Sequence, residues 1–253
     1  MKMLRSLPLV ASAALVGCAG QTYRVDVGAM FAKASGDIAL QNGGTPHVLH
    51  DNQNDLDRNL GVGDTEPSPY LRVEMDQERH RVRLHGFGVE SDGSGTLAGA
   101  YGNLAAGSQV TTSLEFFGLG VTYAWELYRD DHFRIGGGAA LNWYSLDVAA
   151  RSSLGREAVR TDAVVPMPYG EVEAFLGPVT LGANLGIMSA DLGDASTRYL
   201  DFETYLRWQA IENFDLMLGY RYVVLDGYGR ATSRDFDADI DVQGVFVGGG
   251  VRL

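Results

Sequence analysis

Charged residues recur at every second position in several stretches of this sequence. Arg24 and Asp26, Arg72 and Glu74, Arg81 and Arg83, and Glu171 and Glu173 are pairs of this kind, and Asp201, Glu203 and Arg207 form a longer run. Glu126, Arg134, Asp215 and Arg221 sit among alternating neighbours of the same type. In an extended chain this spacing places the charges of each run on one face. Charges of both signs gathered inside a low-dielectric wall must pair or stay hydrated, because stranding one costs several kcal/mol. Two roles follow for such a set: a salt-bridged plug that stiffens a tube, or a narrow hydrated path with charged constrictions. The acid pairs Glu171/Glu173 and Asp201/Glu203 also have the composition of a general acid–base couple. Arginines interleaved among them favour ion pairing, so a filled, salt-bridged lumen is the expectation.

Other chemistry is sparse. The five histidines are His47, His50, His80, His85 and His132, and no metal-ligand spacing joins them. Asp55, Asp57, Asn59 and Glu66 match positions one, three, five and twelve of a calcium loop, but Leu60 stands where its sharp turn needs Gly. That match is read as coincidence. No nucleophile elbow, zinc-protease helix or phosphate loop is present. The expectation is a non-enzymatic protein with no catalytic residues, cofactor or metal. The formal charge of −12 argues against a nucleic-acid partner.

The elements that would carry these residues are strands. Leu200, Phe202, Thr204, Leu206 and Trp208 alternate with Tyr199, Asp201, Glu203, Tyr205 and Arg207. Phe214, Leu216, Leu218, Tyr220 and Tyr222 alternate with Asp215, Met217, Gly219 and Arg221. Val25, Val27, Ala29 and Phe31 do the same against Arg24, Asp26, Gly28 and Met30. Period-two alternation of this length marks β-strands with two different faces. About ten such segments are predicted: 22–34, 68–76, 79–91, 108–127, 132–150, 163–176, 178–190, 197–210, 214–230 and 239–253. Short turns separate alternate pairs. Longer polar loops are predicted at 35–67, 92–107, 151–162, 191–196 and 231–238. No stretch after the N-terminus is long and apolar enough for a membrane helix.

The N-terminus reads as an address. Lys2 and Arg5 precede the apolar run 7–16, which has signal-peptide length. It ends in Leu15-Val16-Gly17-Cys18, which resembles a bacterial lipobox. The resemblance implies cleavage before Cys18, a lipid on Cys18, and sorting to the outer membrane, since Ala19 rather than Asp follows. The small residues Cys18-Ala19-Gly20 also admit cleavage after Gly20, which would remove Cys18 with the signal. Cys18 is the single cysteine, which rules out a disulfide within the chain. The domains expected are a signal peptide over 1–17 and one barrel over 18–253.

Which face meets lipid decides the class. A soluble barrel would turn its charges to water. Here the polar face is rich in Gly, Ala, Asn and Thr with paired charges, which suits a crowded lumen. Tyr123, Trp125, Phe133, Trp208 and Phe214 collect at strand ends, as an interfacial aromatic girdle does. Lysine is nearly absent, occurring only at Lys2 and Lys33. The fold class is therefore all-β: a transmembrane antiparallel up-and-down barrel of about ten strands, eight to twelve being admissible. The pattern resembles the small bacterial outer-membrane barrel superfamily that includes the transmembrane domain of outer-membrane protein A. It departs from that superfamily at its end, Leu253, where Phe is usual. The resemblance implies an outer-membrane location with N-terminus and short turns periplasmic and long loops extracellular. Its implied partners are outer-membrane lipids, lipopolysaccharide and the barrel-assembly machinery. A structural or surface-contact role is the leading expectation. A narrow pore comes next, then an envelope-lipid hydrolase or protease at the outer rim. Labelled palmitate is expected to enter the wild-type chain and not Cys18→Ser; equal labelling of the two would remove the lipid anchor.

Overall fold

The computed structural model describes residues 20–42, 49–192, 195–231 and 234–253, with backbone alone at 50, 51, 190–192, 195, 196 and 231. Cys18 and the signal segment 1–17 lie outside these residues, as does His47. Ten long strands follow one another around a ring: β1 (Gln21–Leu40), β3 (Glu66–Gln77), β4 (His80–Thr96), β5 (Gln109–Arg129), β6 (Phe133–Ser152), β7 (Gly155–Leu176), β8 (Val179–Leu192), β9 (Ala195–Ile211), β10 (Phe214–Ala231) and β11 (Arg234–Arg252). A two-residue strand β2 (Asn54–Asp55) lies in the first loop and pairs with Asp37 and Ile38. Each strand pairs antiparallel with the next, and β11 closes on β1 from Arg24↔Arg252 to Leu40↔Phe236. The barrel is up-and-down throughout.

Two rims differ. At the turn rim the strands reverse tightly; Asp130, for example, accepts the N–H groups of His132 and Phe133 at 2.8 and 2.6 Å. The Tyr128 hydroxyl, together with those amides, holds its carboxyl below the usual carboxylate range. At the opposite, loop rim the predicted loops 151–162, 191–196 and 231–238 are corrected. Strands run on through them, β6 to Ser152 against β7 from Gly155, β8 to Leu192 against β9 from Ala195, and β10 to Ala231 against β11 from Arg234. The first predicted loop also shrinks, since β1 continues to Leu40.

The reason is a reversal of the hydrophobic phase along strands such as β5 and β11. In the half nearer the turn rim, apolar side chains point outward. Val245, Val247 and Val251 on β11 and Leu216 and Leu218 on β10 are all exposed. Beyond Gln243 the apolar residues of β11 point inward instead. Phe236, Ala238, Ile240 and Val242 are buried between outward-facing Asp237, Asp239 and Asp241. β5 switches likewise, from exposed Leu119 and Val121 to buried Phe116, Leu114 and Val110. The backbone zigzag is unbroken, so the change lies in what each face meets. Near the turn rim the outside is apolar and the inside polar; near the loop rim the outside is aqueous and the inside is a core. On β10 the outward apolar run extends from Phe214 to Val224. Ten rises of ~3.3 Å at a tilt of roughly 40° make a band about 25 Å high, the hydrocarbon thickness such barrels present.

The inner core at the loop rim is completed by two loops. Leu56, Leu60 and Val62 from the first loop and Leu97, Tyr101 and Leu104 from the second are buried there. Asn54 Oδ1 accepts the N–H of Ala98 at 2.9 Å and of Gly99 at 3.2 Å, which ties the loops together. Tyr101 bridges to Leu40 through its backbone and donates its hydroxyl to the Val148 carbonyl at 2.9 Å. It thus reaches from β1 across to β6. Glu157 on β7 accepts from Asn103 at 2.7 Å and from Arg234 at 2.5 Å. Tyr101→Ala is expected to cost about 3–5 kcal/mol, as large-to-small core changes do. Limited proteolysis should then cut within 97–108 while the turn-rim half stays protected. Cleavage no faster than in the wild type would count against the bridge.

Candidate functional site

The distinctive site is the lumen of the turn-rim half. Even-numbered residues of β1 and β3, and odd-numbered residues of β4, β7, β9 and β10, point inward there. That parity delivers Arg24, Asp26, Arg72, Glu74, Arg81, Arg83, Glu171, Glu173, Asp201, Glu203, Arg207, Asp215 and Arg221 to one interior, with Glu126 and Arg134 beside them. Apart from Arg24, which is partly buried, all of these are buried.

Glu74 is the hub. Four guanidinium groups surround its carboxylate: Arg24 at 3.2 Å, Arg72 at 2.9 Å, Arg83 at 2.7 Å and Arg207 at 2.9 Å. Those arginines reach further acids. Arg72 contacts Glu203 at 2.7 Å, Arg207 contacts Asp26 at 3.1 Å, and Arg24 contacts Asp215 at 3.0 Å. A second group lies toward the turn rim. Arg81 pairs with Asp76 at 2.7 Å and Glu173 at 2.9 Å, and Arg134 with Asp76 at 3.1 Å and Glu126 at 3.3 Å. A third lies toward the apolar core. Arg221 contacts Asp201 at 2.5 Å, Glu203 at 3.4 Å and the His85 ring nitrogen at 2.7 Å.

Neutral side chains complete the layer. Tyr70 donates to Glu203 at 3.2 Å, Tyr205 to Glu173 at 2.5 Å, and Asn142 to Asp201 at 2.9 Å. Arg83 also donates to the Tyr169 hydroxyl. The Arg72 guanidinium stacks 4.4 Å from the Tyr205 ring centre, and that of Arg221 stacks 4.5 Å from Phe87. Those rings need room on the wall. Phe87 lies against Gly118 and Tyr205 against Gly182, where a Cβ would collide with the ring. The void left beside Arg83, His85, Asp201 and Arg221 is about 20 Å³, enough for a single water. A polar vestibule of about 460 Å³ opens at the turn rim and ends on Arg24, Arg81, Arg134, Glu173 and Arg207.

Several members escape the sequence reading. Asp76 closes the predicted strand 68–76 and shares the parity of Arg72 and Glu74, and that signal would have found it. His85, Asn142, Asn184 and the four tyrosines 70, 144, 169 and 205 share the inward parity of their strands too, but carry no charge to mark them. The expectation of a charged lumen also needs restricting: charges fill the turn-rim half, while the loop-rim half is apolar. In the calcium-like stretch, one Asp55 oxygen accepts the N–H groups of Asp57 and Arg58 at 2.9 and 2.7 Å and so serves as a turn cap. His80 and His132 stand at the turn rim. The His80 ring bonds the Tyr123 hydroxyl at 2.8 Å within the aromatic girdle.

Removing one charge from such a layer leaves others buried and unmatched. Glu74→Gln is expected to cost about 3–5 kcal/mol. Asp147→Asn breaks the surface pair with Arg160, 2.6 Å long and exposed on the Arg side, and should cost less than about 1 kcal/mol. Urea unfolding of both variants in the same detergent micelle tests the contrast. Equal midpoints would mean that the hub does not hold the barrel together.

No described protein family matches the sequence, and no curated protein matches it. Solved structures do. The outer-membrane protease OmpT of Escherichia coli superposes with a TM-score of 0.57 at 10% identity, covering 91% of this chain and 96% of that one. Ail, the attachment invasion locus protein of Yersinia pestis, was solved with the heparin analogue sucrose octasulfate. It reaches 0.37 at 9% identity, over 92% and 99% of the two chains. Neisserial surface protein A reaches 0.36 at 11% identity, over 90% and 96%. Scores as low as the last two carry no weight, and 10% identity speaks for fold alone. This chain shares the fold of the OmpT outer-membrane β-barrel.

Proposed function

We propose that the chain is a bacterial outer-membrane protein whose barrel is closed to solutes and acts as a rigid platform. Its role is structural or one of surface contact, and it is not an enzyme. The observation that carries this is the ion-pair layer: Glu74 and its four arginines are packed inside the lumen, and the void left beside Arg83, one of the four, is about 20 Å³. The phase reversal supports the membrane setting. A soluble barrel faces water along its whole height and has no reason to reverse its apolar face, whereas a chain crossing from hydrocarbon into water does. The N-terminal address supports the orientation. Residue 18 stands just before β1, which starts at the turn rim, so a lipid on Cys18 would put that rim in the periplasm. The two ordered loops then face outward, where lipopolysaccharide is the nearest partner. Insertion would use the barrel-assembly machinery.

The similar Escherichia coli barrel is a protease, but the likeness extends to fold and not to activity. A narrow pore is the nearest rival, because the vestibule already admits water to the underside of the layer. Planar bilayers loaded with purified protein at 1 M salt should stay silent. A steady unitary conductance, reproduced across preparations, would replace the closed barrel with the pore.

A further inference from the structure

The wall of the barrel is not paired to the same height everywhere. β7 pairs with β8 only from Tyr169↔Gly186 to Leu176↔Val179. Both strands continue past that point, but each follows its other neighbour. β7 stays on β6 up to Ser152↔Gly155, and β8 stays on β9 up to Leu192↔Ala195. Between β7 and β8 the loop-rim half of the wall has no ladder among the described residues.

The cause lies in two residues. The Phe175 N–H donates to the His132 carbonyl at 2.7 Å, toward β6. The β6–β7 register has no shift, so odd-numbered N–H groups of β7 face β6 and even-numbered positions face β8. Pro166 and Pro168 are both even. Neither has an N–H to give, and the ladder stops one residue from Pro168. The prolines also make the gap tolerable beside lipid, where a free N–H is costly, because over those positions β7 has no donor to leave unmatched.

An apolar cavity of about 90 Å³ lies in this sector, in the loop-rim half of the lumen. Ala163 of β7, Tyr199 of β9 and Ile240 of β11 line it, with Phe116 and Tyr144, and among the described residues none of β8 contributes. Below it the ion-pair layer seals the floor, with Tyr144 3.2 Å from Asp201. Outside, Val164 and Ile187 flank the gap and are 64% and 49% exposed, at the upper edge of the apolar band. Just above them, Arg160 and Arg198 project outward, each held by a single carboxylate at 2.6 and 3.7 Å.

We propose that the gap between β7 and β8 admits the end of an alkyl chain from the surrounding membrane into this cavity, with one of the two outward arginines flanking it, Arg160 or Arg198, receiving the anionic head of the same amphiphile. The cavity is smaller than the roughly 150 Å³ that holds a benzene, so it suits a chain end rather than a ring. The proposal rests on the membrane setting argued above and adds a ligand class to a barrel otherwise described as closed. A free fatty acid and the acyl chain of an anionic phospholipid share this chemistry.

Photolabelling tests it on the full chain in phosphatidylcholine vesicles. The probes carry a diazirine at the chain end: a fatty acid, a phosphatidylglycerol with the same chain, and the corresponding fatty alcohol. Expected are adducts on inward residues around Ala163 and Tyr199, competed by unlabelled palmitate or phosphatidylglycerol. Whichever of the two anionic probes labels these positions identifies the source. Ala163→Trp, or Ala238→Trp should the first fail to fold, should lower inward labelling about tenfold, the scale of losing two buried methylenes. Arg160→Gln with Arg198→Gln should lower labelling by the anionic probes about fivefold relative to the alcohol, the scale of an exposed ion pair. Adducts confined to outward positions such as Val164 and Ile187, unchanged by the tryptophan, would overturn the proposal. Protein that fails to float with the vesicles would overturn the membrane setting itself, so the two failures are distinguishable.

Discussion

One carboxylate among four guanidinium groups sets the terms for the rest of the molecule. Glu74 is fully enclosed, and so is Arg72 beside it. Buried charges of this kind stand only when every partner is positioned, because the desolvation of each ion is several kcal/mol and one missing contact leaves it uncompensated. The partners come from β1, β3, β4 and β9, far apart in sequence. The layer therefore cannot form in a partial barrel. Closing β11 on β1 brings Asp215 of β10 to within 3.0 Å of Arg24 of β1. Ring closure and charge compensation are in this sense a single event, which gives the fold a cooperative centre without an apolar core at that level.

The same layer explains the apolar cap above it. Coulombic pairing strengthens as water is excluded. The layer is open to the vestibule on one side only. On the other it meets Tyr70 stacked on Phe246 at 4.4 Å, and then Met30, Phe116 and the two loops. That cap keeps water from entering from the loop rim. It also removes any straight route for a solute, so the buried loops and the ion pairs close the lumen at successive heights.

How much of this was legible in the sequence depends on which solvent each face meets. Where the outside is apolar and the inside charged, as along 199–209 and 214–222, alternation alone places every side chain. Parity then delivers the charged residues to one interior. At the loop rim the alternation reverses its sense, on β11 around Gln243, and the far end of the strand before Asp239 reads as a loop. Asp235 and Asp237 look like part of a polar loop, although they lie on the outward side of a strand whose other side is Phe236, Ala238 and Ile240. Stretches apolar on both faces, such as 29–32, carry no phase at all. Tyr70, Tyr144 and Tyr169 of the layer were invisible for a related reason: Tyr occurs on either side of such a wall, as Tyr123 in the girdle and Tyr205 in the lumen both do.

Where β7 parts from β8, the sequence held the signal in a form that period-two reading passes over. Proline is compatible with a strand's φ, and Pro166 and Pro168 keep their outward places in the alternation, so the pattern continues across them. What they remove is direction-specific, the hydrogen-bond donor on one side only. Facing β6 they would have broken a ladder that in fact runs the full height of the strand. Facing β8 they leave a one-sided edge at the level where the outer surface passes from apolar to charged. An edge anywhere lower would expose peptide groups to hydrocarbon on both strands, and an edge higher would open only to water. The position of two prolines relative to a single parity thus decides whether the wall is sealed, and at which depth it is not.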